Sequence, residues 1–548
     1  MVGNRQQSAT PMRVGSEDVQ KLMNLIRRSL RVTKTERPVF EDVGGVVDQI
    51  LLDTDHVVYG RRGSGKSSLL LSAYWVRFDR GEPVVYLDAQ ECRGLSYPDT
   101  VLSIVVEVLC YLDKAIADAY SSYRGWVARL MGKDPASARE HLRERIAALE
   151  TERHRPEEYP IEEETVRGER QSESLAANVG ARIPSGLGAG VQLGSEVGVE
   201  TTRSQRRSLT QAKADYIEGI RPAIGRLIDE ALSLLPGAWL FLEVDDFYFI
   251  DRQMQAYVID YLYRLTKHRP IHLKIATIRH RSLLYQRTVT GTVGVLSRSD
   301  VQAIDLDRTL EDKGALAGAL FRILEALAQR AGIANPVFDE LLTEGARELL
   351  VDACGGVPRD FLAIFVQAHD IASMERRDST ITKWAVGEAA RRHLEETKRE
   401  VLDLDAREDR GEVEEVLAAI VAQILYERRA TVFLLDKAEC EQDPDAHQAV
   451  KTLLDMRFLH LVAGDTSASY GGGRRYEAYL LDPGIWAAPR PRHLHEVRYE
   501  RTDSRGRRDE LRNAPALPLA IVSDALRRVR SGVASGTDAT PAGDAVSE

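Results

Sequence analysis

A chain of 548 residues, 43% of them hydrophobic, has enough apolar material for three or four domains with separate cores. Its net charge of −10 excludes a polyanion binder that works through its bulk field, so any nucleic acid would have to be held by a local patch. Four scattered cysteines (Cys92, Cys110, Cys354, Cys440) lack disulfide or zinc-ligand spacing and suit a reducing cytoplasm, and no signal-peptide core or membrane-length apolar run stands out.

In chain order, residues 1–15 read as a loose tail, and the apolar spacing of Val19, Leu22, Met23, Leu25 and Ile26 predicts a helix over Glu17–Leu30. After Arg37–Asp42 comes a short β-prone run, His56–Tyr59, then Gly60-Arg61-Arg62-Gly63-Ser64-Gly65-Lys66-Ser67, then an apolar helical stretch, Ser68–Trp75. This is G-x-x-x-x-G-K-[ST] in the strand–loop–helix context it requires. Glycines let successive backbone N–H groups turn toward phosphate oxygens, and the helix N-terminus adds partial positive charge. Residues Gly60 to Ser68 are thus the candidate phosphate cradle, with Lys66 reaching the β- and γ-phosphates and the Ser67 hydroxyl ligating Mg²⁺. The bland alternative is a chance glycine-rich turn.

Further strands are expected at Val84–Leu87, Trp239–Val244, Leu273–Thr277 and Val301–Leu306, separated by helical stretches. Alternation of this kind predicts an α/β fold with a parallel sheet flanked by helices. An insertion of about 114–214 interrupts it. The insertion carries a charged helix over Ser137–Arg153 and, at Ala181–Glu200, a period-two alternation of small or apolar residues with glycine and polar ones, which predicts a β-hairpin. The hairpin reads either as packed on its own protomer or as an arm for assembly.

The run Trp239–Val244 ends in Asp245-Asp246. Asp245 suits the Mg²⁺ shell and Asp246 the general base or water-positioning group for attack on a γ-phosphate; an acidic surface turn is the alternative. The next strand ends in Thr277-Ile278-Arg279, polar and cationic groups that fall near the γ-phosphate if the ligand lies at the carboxyl ends of the strands; a solvated basic turn is the alternative. Residues 335–405 read as an all-helical segment, within which Gly355-Gly356-Val357-Pro358 ends one helix and puts Arg359 near the start of another, where it can reach a phosphate across a cleft; a structural turn with a surface Arg is the alternative. Residues 406–486 read as helices followed by a two-stranded wing, a winged helix. Residues 487–532 read as a helical extension and 533–548 as a disordered tail.

Taken together, Gly60–Ser67, Leu240–Asp246, Thr277 with Arg279, and Gly355–Arg359 resemble the Walker A, Walker B and sensor elements of P-loop ATPases of the AAA+ and STAND type. The resemblance covers about 37–113 and 215–485. It implies an ATPase core in two parts (37–113 and 215–334) behind an N-terminal segment (1–36), a helical lid (335–405) and a winged helix (406–486). It also implies ATP and Mg²⁺ as ligands, slow hydrolysis by Lys66, Asp246, Arg279 and Arg359, adenine contact near Arg37–Asp42, and an arginine finger from a neighbouring copy, for which Arg298 is the candidate. Asp-Asp in place of Asp-Glu and the large insertion depart from a standard AAA+ ring. Acidic residues before the helix at Ala446–Met456 make a self-oligomer or protein partner the favoured expectation over DNA, and no membrane is expected.

Overall fold

A computed structural model describes residues 10–120, 134–155 and 192–532, apart from positions 32, 43, 236, 238, 289–290, 298, 375–379, 401, 403–409 and 505. Arg298, residues 181–191 of the expected hairpin and the 533–548 tail lie outside the described residues. Strands run in the order β1 (Thr10–Pro11), β2 (His56–Tyr59), β3 (Val84–Asp88), β4 (Leu240–Asp245), β5 (Ile271–Thr277), β6 (Tyr285–Thr288), β7 (Gly291–Gly294), β8 (Gln302–Asp305), β9 (Pro336–Val337), β10 (Val432–Asp436), β11 (Leu459–Ser467) and β12 (Arg475–Leu481). The chain forms two compact units. One comprises Met1–Val46, Tyr59–Leu69 and Asp305–Glu548; the other comprises Val47–Val58 and Leu70–Ile304.

The second unit is mixed α/β, built on a five-stranded parallel sheet in the order β3-β4-β5-β2-β8. The β2–β8 pairing continues it in parallel, Gln302 N–H donating to Asp55 C=O. Helices Tyr97–Tyr120, Gln192–Leu234 and Arg252–Thr266 flank the sheet, and the first buries Val101, Leu102, Val105, Leu109 and Leu112. Every residue of β4 is buried, including Glu243 at 0% exposure. The Arg77 guanidinium, also buried, lies 4.0 Å from Glu243 and 3.2 Å above the Phe241 ring, so the charge beneath the sheet is matched. On β5, Lys274 Nζ donates to the carbonyls of Leu52 and Thr54 (both 2.6 Å) and faces His56 Nδ1 at 2.9 Å. Burial, then the Arg77 charge, pushes its ammonium down to about 7; burial and Lys274 push His56 down to about 4, so His56 accepts.

The charged helix is found at Pro135–Arg153, its N-cap Asp134 accepting from Ala136 N–H and Ser137 N–H, with Leu142 and Leu149 buried. The hairpin expectation is corrected over its second half. Residues 192–200 belong to the helix Gln192–Leu234. Alternating glycine with small residues gives a strand little to pack, whereas a helix anchored by buried Ile217, Ile224 and Ile228 extends backwards at one hydrogen bond per residue.

The first unit holds the helices Lys313–Arg330, Glu344–Cys354, Pro358–Met374 and Lys383–His393 around one core, joined by the N-terminal helix Glu17–Ser29. Ser16 caps that helix by accepting from Val19 N–H, as the polar-then-apolar sequence predicts. The loose-tail expectation fails at Thr10–Met12. β1 pairs in parallel with β9, and Met12 is 1% exposed because this core, made by residues more than 300 positions downstream, covers it. Farther on, β10-β12-β11 form a three-stranded antiparallel sheet against the helices Arg410–Val421, Pro444–Asp455 and Leu519–Arg530. β10 adds a strand to the two-stranded wing expected there. Its outer edge is closed by Leu434 N–H donating to Pro515 C=O and Leu517 N–H donating to Leu434 C=O.

Candidate functional site

The glycine loop belongs to the first unit. Tyr59 ends β2, the chain turns through Gly60–Gly65, and the helix Lys66–Asp79 starts on the motif lysine, Leu69 N–H donating to Gly65 C=O. Gly63 has φ +86°, and a Cβ there would stand 2.9 Å from both Arg359 Cβ and Val357 Cγ1. Only glycine serves, for conformation and for space. Lys66 is 4% exposed and its Nζ donates to the Gly60 and Arg61 carbonyls at 2.8 and 3.1 Å. Ser64 Oγ is buried with no hydrogen-bond partner. A backbone cradle, a buried cation turned onto its rim and an orphaned hydroxyl fit a phosphate chain.

Two segments expected from sequence pack on this loop. The turn before Arg359 is one: Arg359 N–H donates to Gly63 C=O at 3.3 Å while its side chain is exposed. The Arg37–Asp42 segment is the other. The Phe40 ring lies over Gly65, and Glu41 pairs with Arg322 at 2.9 Å. Arg61 was grouped by sequence with the phosphate contacts, but the structure engages it elsewhere. Its N–H and Nε both donate to Asp307 Oδ1 (2.7 and 3.3 Å), and Nη2 donates to the Arg308 and Gly355 carbonyls (2.6 and 2.9 Å). Arg61 therefore ties the loop to the Gly355–Arg359 turn. Arg62 and Ser67 are half-buried.

Behind that turn lies a buried charged network that sequence reading missed. Gly355 is αL (φ +53°), and a Cβ there would meet His460 Nδ1 at 1.9 Å. His460 Nε2 donates to Asp482 at 2.8 Å, and Lys398 Nζ donates to the same carboxylate. Burial lowers the His460 pKa despite Asp482, so the imidazole is neutral and its proton sits on Nε2. One residue past Arg359, buried Asp360 accepts from Arg457 Nη1 at 2.7 Å, with His393 Nε2 3.2 Å away. Gly355→Ala is expected to cost about 2–3 kcal/mol, through overpacking on His460 and a strained φ. A thermal melt within error of the parent would show that the contact yields.

The other predicted groups belong to the second unit. Asp245 closes β4 at 2% exposure. Its Oδ1 accepts from Asp246 N–H at 2.8 Å and its Oδ2 from Tyr86 O–H at 2.6 Å. Asp246 adopts αL (φ 49°, ψ 39°), a conformation costly for most side chains and least so for Asp and Asn. Tyr86 and Asp88 on β3 were not picked out by sequence; the register sets Asp88 beside Asp245. Burial, then Asp245, raises the Tyr86 hydroxyl well above its usual range, so it stays a donor, and burial raises the Asp88 carboxyl. The signal available was the period-two ending Tyr86-Leu87-Asp88 on a predicted strand. Thr277 closes β5 fully buried, its hydroxyl bonded to Ser282 Oγ, while Arg279 opens the next turn and is exposed. In a parallel sheet the carboxyl ends of neighbouring strands share one edge, so Asp245 and Thr277 end side by side.

No protein-family model matches the sequence, and no curated protein matches it either. Among solved structures, the chain is similar to the Aeropyrum pernix ORC1 protein in complex with DNA (13% identity, 85% of this chain and 88% of that one, TM-score 0.31). It is also similar to a Walker-type ATPase of Pyrococcus abyssi (12% identity, 88% and 98%, TM-score 0.32) and to a lysine-to-arginine RuvB mutant of Thermotoga maritima (16% identity, 58% and 91%, TM-score 0.23). Superposition this loose assigns no activity, so the chemistry is taken from the residues themselves.

Proposed function

We propose that the chain is a P-loop ATPase that binds ATP with Mg²⁺, hydrolyses it slowly, and uses the nucleotide to control a helical lid and assembly with copies of itself or a protein partner. The observation that best supports this is the loop Gly60–Ser67, with its glycine-only apex, buried Lys66 and orphaned Ser64 hydroxyl. In this reading loop N–H groups, Lys66 and Ser68 hold the phosphates, and Ser67 and Asp245 hold the metal. Magnesium held there would supply charge neutralisation for the transferring phosphate. Asp246 orients the attacking water and takes its proton. Thr277 and Arg279 respond to the γ-phosphate. Arg359, carried on a turn bonded to Gly63, couples phosphate to the lid (335–405). An arginine donated in trans is worth on the order of 10³–10⁵ in rate in such enzymes, so an isolated copy turns over slowly.

The segment 406–486, read as a winged helix, is assigned to protein or intramolecular contacts rather than DNA. The cations offered by its helix Pro444–Asp455 and its wing are paired locally: Lys451 on Glu477 (2.9 Å), Arg474 on Asp436 (3.1 Å) and Arg475 on Asp465. Phosphate binding needs such charges to be available. A steep fall of DNA affinity with salt would instead favour an initiator-like role.

The test is phosphate release with ATP and Mg²⁺. Turnover is expected to vanish in Asp246→Asn with nucleotide binding retained, and Arg359→Ala is expected to keep binding but lose turnover. Binding without turnover in the parent would make ATP a structural ligand, and no binding would refute the reading.

A further inference from the structure

Among the described residues, one Cys–His–carboxylate group has the spacing of a metal site. Cys440 comes from the helix Lys437–Gln442, His447 from the helix Pro444–Asp455 and Glu477 from β12, and their donor atoms all lie within 4.8 Å of one another. Tetrahedral zinc with bonds of about 2.0–2.3 Å sets its ligand atoms roughly 3.3–3.8 Å apart, so the three stand within about 1 Å of that spacing. Cys440 is 5% exposed and the other two are half-buried. His447 Nε2 is already 3.1 Å from Glu477 Oε2.

The neighbourhood also shows that this carboxylate takes a cation. Lys451, one turn beyond His447, donates Nζ to Glu477 Oε2 at 2.9 Å and to the Tyr479 hydroxyl at 2.8 Å. Its side chain is 20% exposed, on a flexible stem that can withdraw its ammonium to water. The Tyr479 hydroxyl donates to the same Glu477 oxygen and orients it as an outer-shell partner does.

We propose that Cys440, His447 and Glu477 bind a divalent transition metal of the zinc class. Thiolate with imidazole and carboxylate selects zinc or cobalt over magnesium or calcium, and three protein ligands leave the fourth position to water. On binding, the Cys440 thiol proton passes to solvent and Lys451 releases Glu477. The metal pins both helices to β12 and rigidifies the winged-helix segment. None of these residues belongs to the phosphate-binding set, so the site stands apart from the ATPase reading.

The probe is cobalt(II) titrated into the full chain without nucleotide or magnesium. The expected result is one cobalt per chain with a thiolate-to-cobalt charge-transfer band, displaced by zinc. Cys440→Ser is expected to lose the band, His447→Ala to weaken binding at least about tenfold, and Cys110→Ser, which removes the exposed thiol, to change nothing. Lys451→Met is expected to retain or tighten binding, since it removes the competing ammonium. No band in the parent, a band that survives Cys440→Ser, or loss of binding in Lys451→Met overturns the proposal. Should Cys440→Ser not fold, the zinc-induced rise in melting temperature decides instead, since it is expected in the parent and absent in His447→Ala; equal rises in both overturn the site.

Discussion

Lys66→Ala is expected to abolish ATP binding at micromolar nucleotide. The ammonium is 4% exposed and held at the rim of the loop by two of its own carbonyls, so little reorganisation is needed to turn it onto phosphate. Charge-assisted hydrogen bonds contribute about 1.5–3 kcal/mol each. Two phosphate contacts therefore correspond to about 3–6 kcal/mol, or on the order of 10²–10⁴ in Kd. Calorimetric titration of parent and variant measures it. Circular dichroism of the variant checks that the fold survives, so that lost affinity reads as lost phosphate contact. Unchanged affinity would remove the phosphate role from the loop and the proposed function with it.

The second large effect is structural. Asp360 is 1% exposed, and its partner Arg457 is 2% exposed. Deleting the carboxylate in Asp360→Ala strands a buried guanidinium, at a cost of about 3–5 kcal/mol. Burial alone would raise the Asp360 pKa, but Arg457 and His393 outweigh it and hold the carboxyl far below its usual range. A carboxylate depressed in the folded state contributes stability above its unfolded pKa of about 4, and loses it as pH falls toward the folded value. Asp482, held down by Lys398 and His460 against the same burial penalty, acts in the same direction. The first unit should therefore weaken progressively below about pH 4, and Asp360→Asn should flatten that acid limb. Urea unfolding of parent and variant between pH 2 and 7 measures both. A loss under about 1 kcal/mol in Asp360→Ala would show that Arg457 finds water or another partner.

The five sheet strands, the helix Glu17–Ser29 and the helix Pro135–Arg153 were legible because periodicity and caps are local signals. The candidate loop was legible for the same reason, its chemistry lying within eight consecutive residues. Three features were not. β1 exists only because β9, more than 300 positions away, pairs with it. β10 is short and continuously apolar, a pattern that does not separate a buried strand from a buried helix until β12 pairs with it. Residues 192–200 alternate like a strand, yet continue a helix packed further along.

From the amino-acid order alone came the glycine cradle with its lysine, the carboxylates ending β4 and the alternation that makes a parallel sheet, since backbone geometry and nearest-neighbour chemistry set these. Only the tertiary structure decided that Arg61 is spent on Asp307 and Gly355, that Arg359 rides on Gly63, and that Asp360 is locked to Arg457. Each of those contacts joins residues about 100 to 300 positions apart. Nothing local encodes such a pairing; it forms when burying the rest of the core outweighs the entropy of closing the loops between.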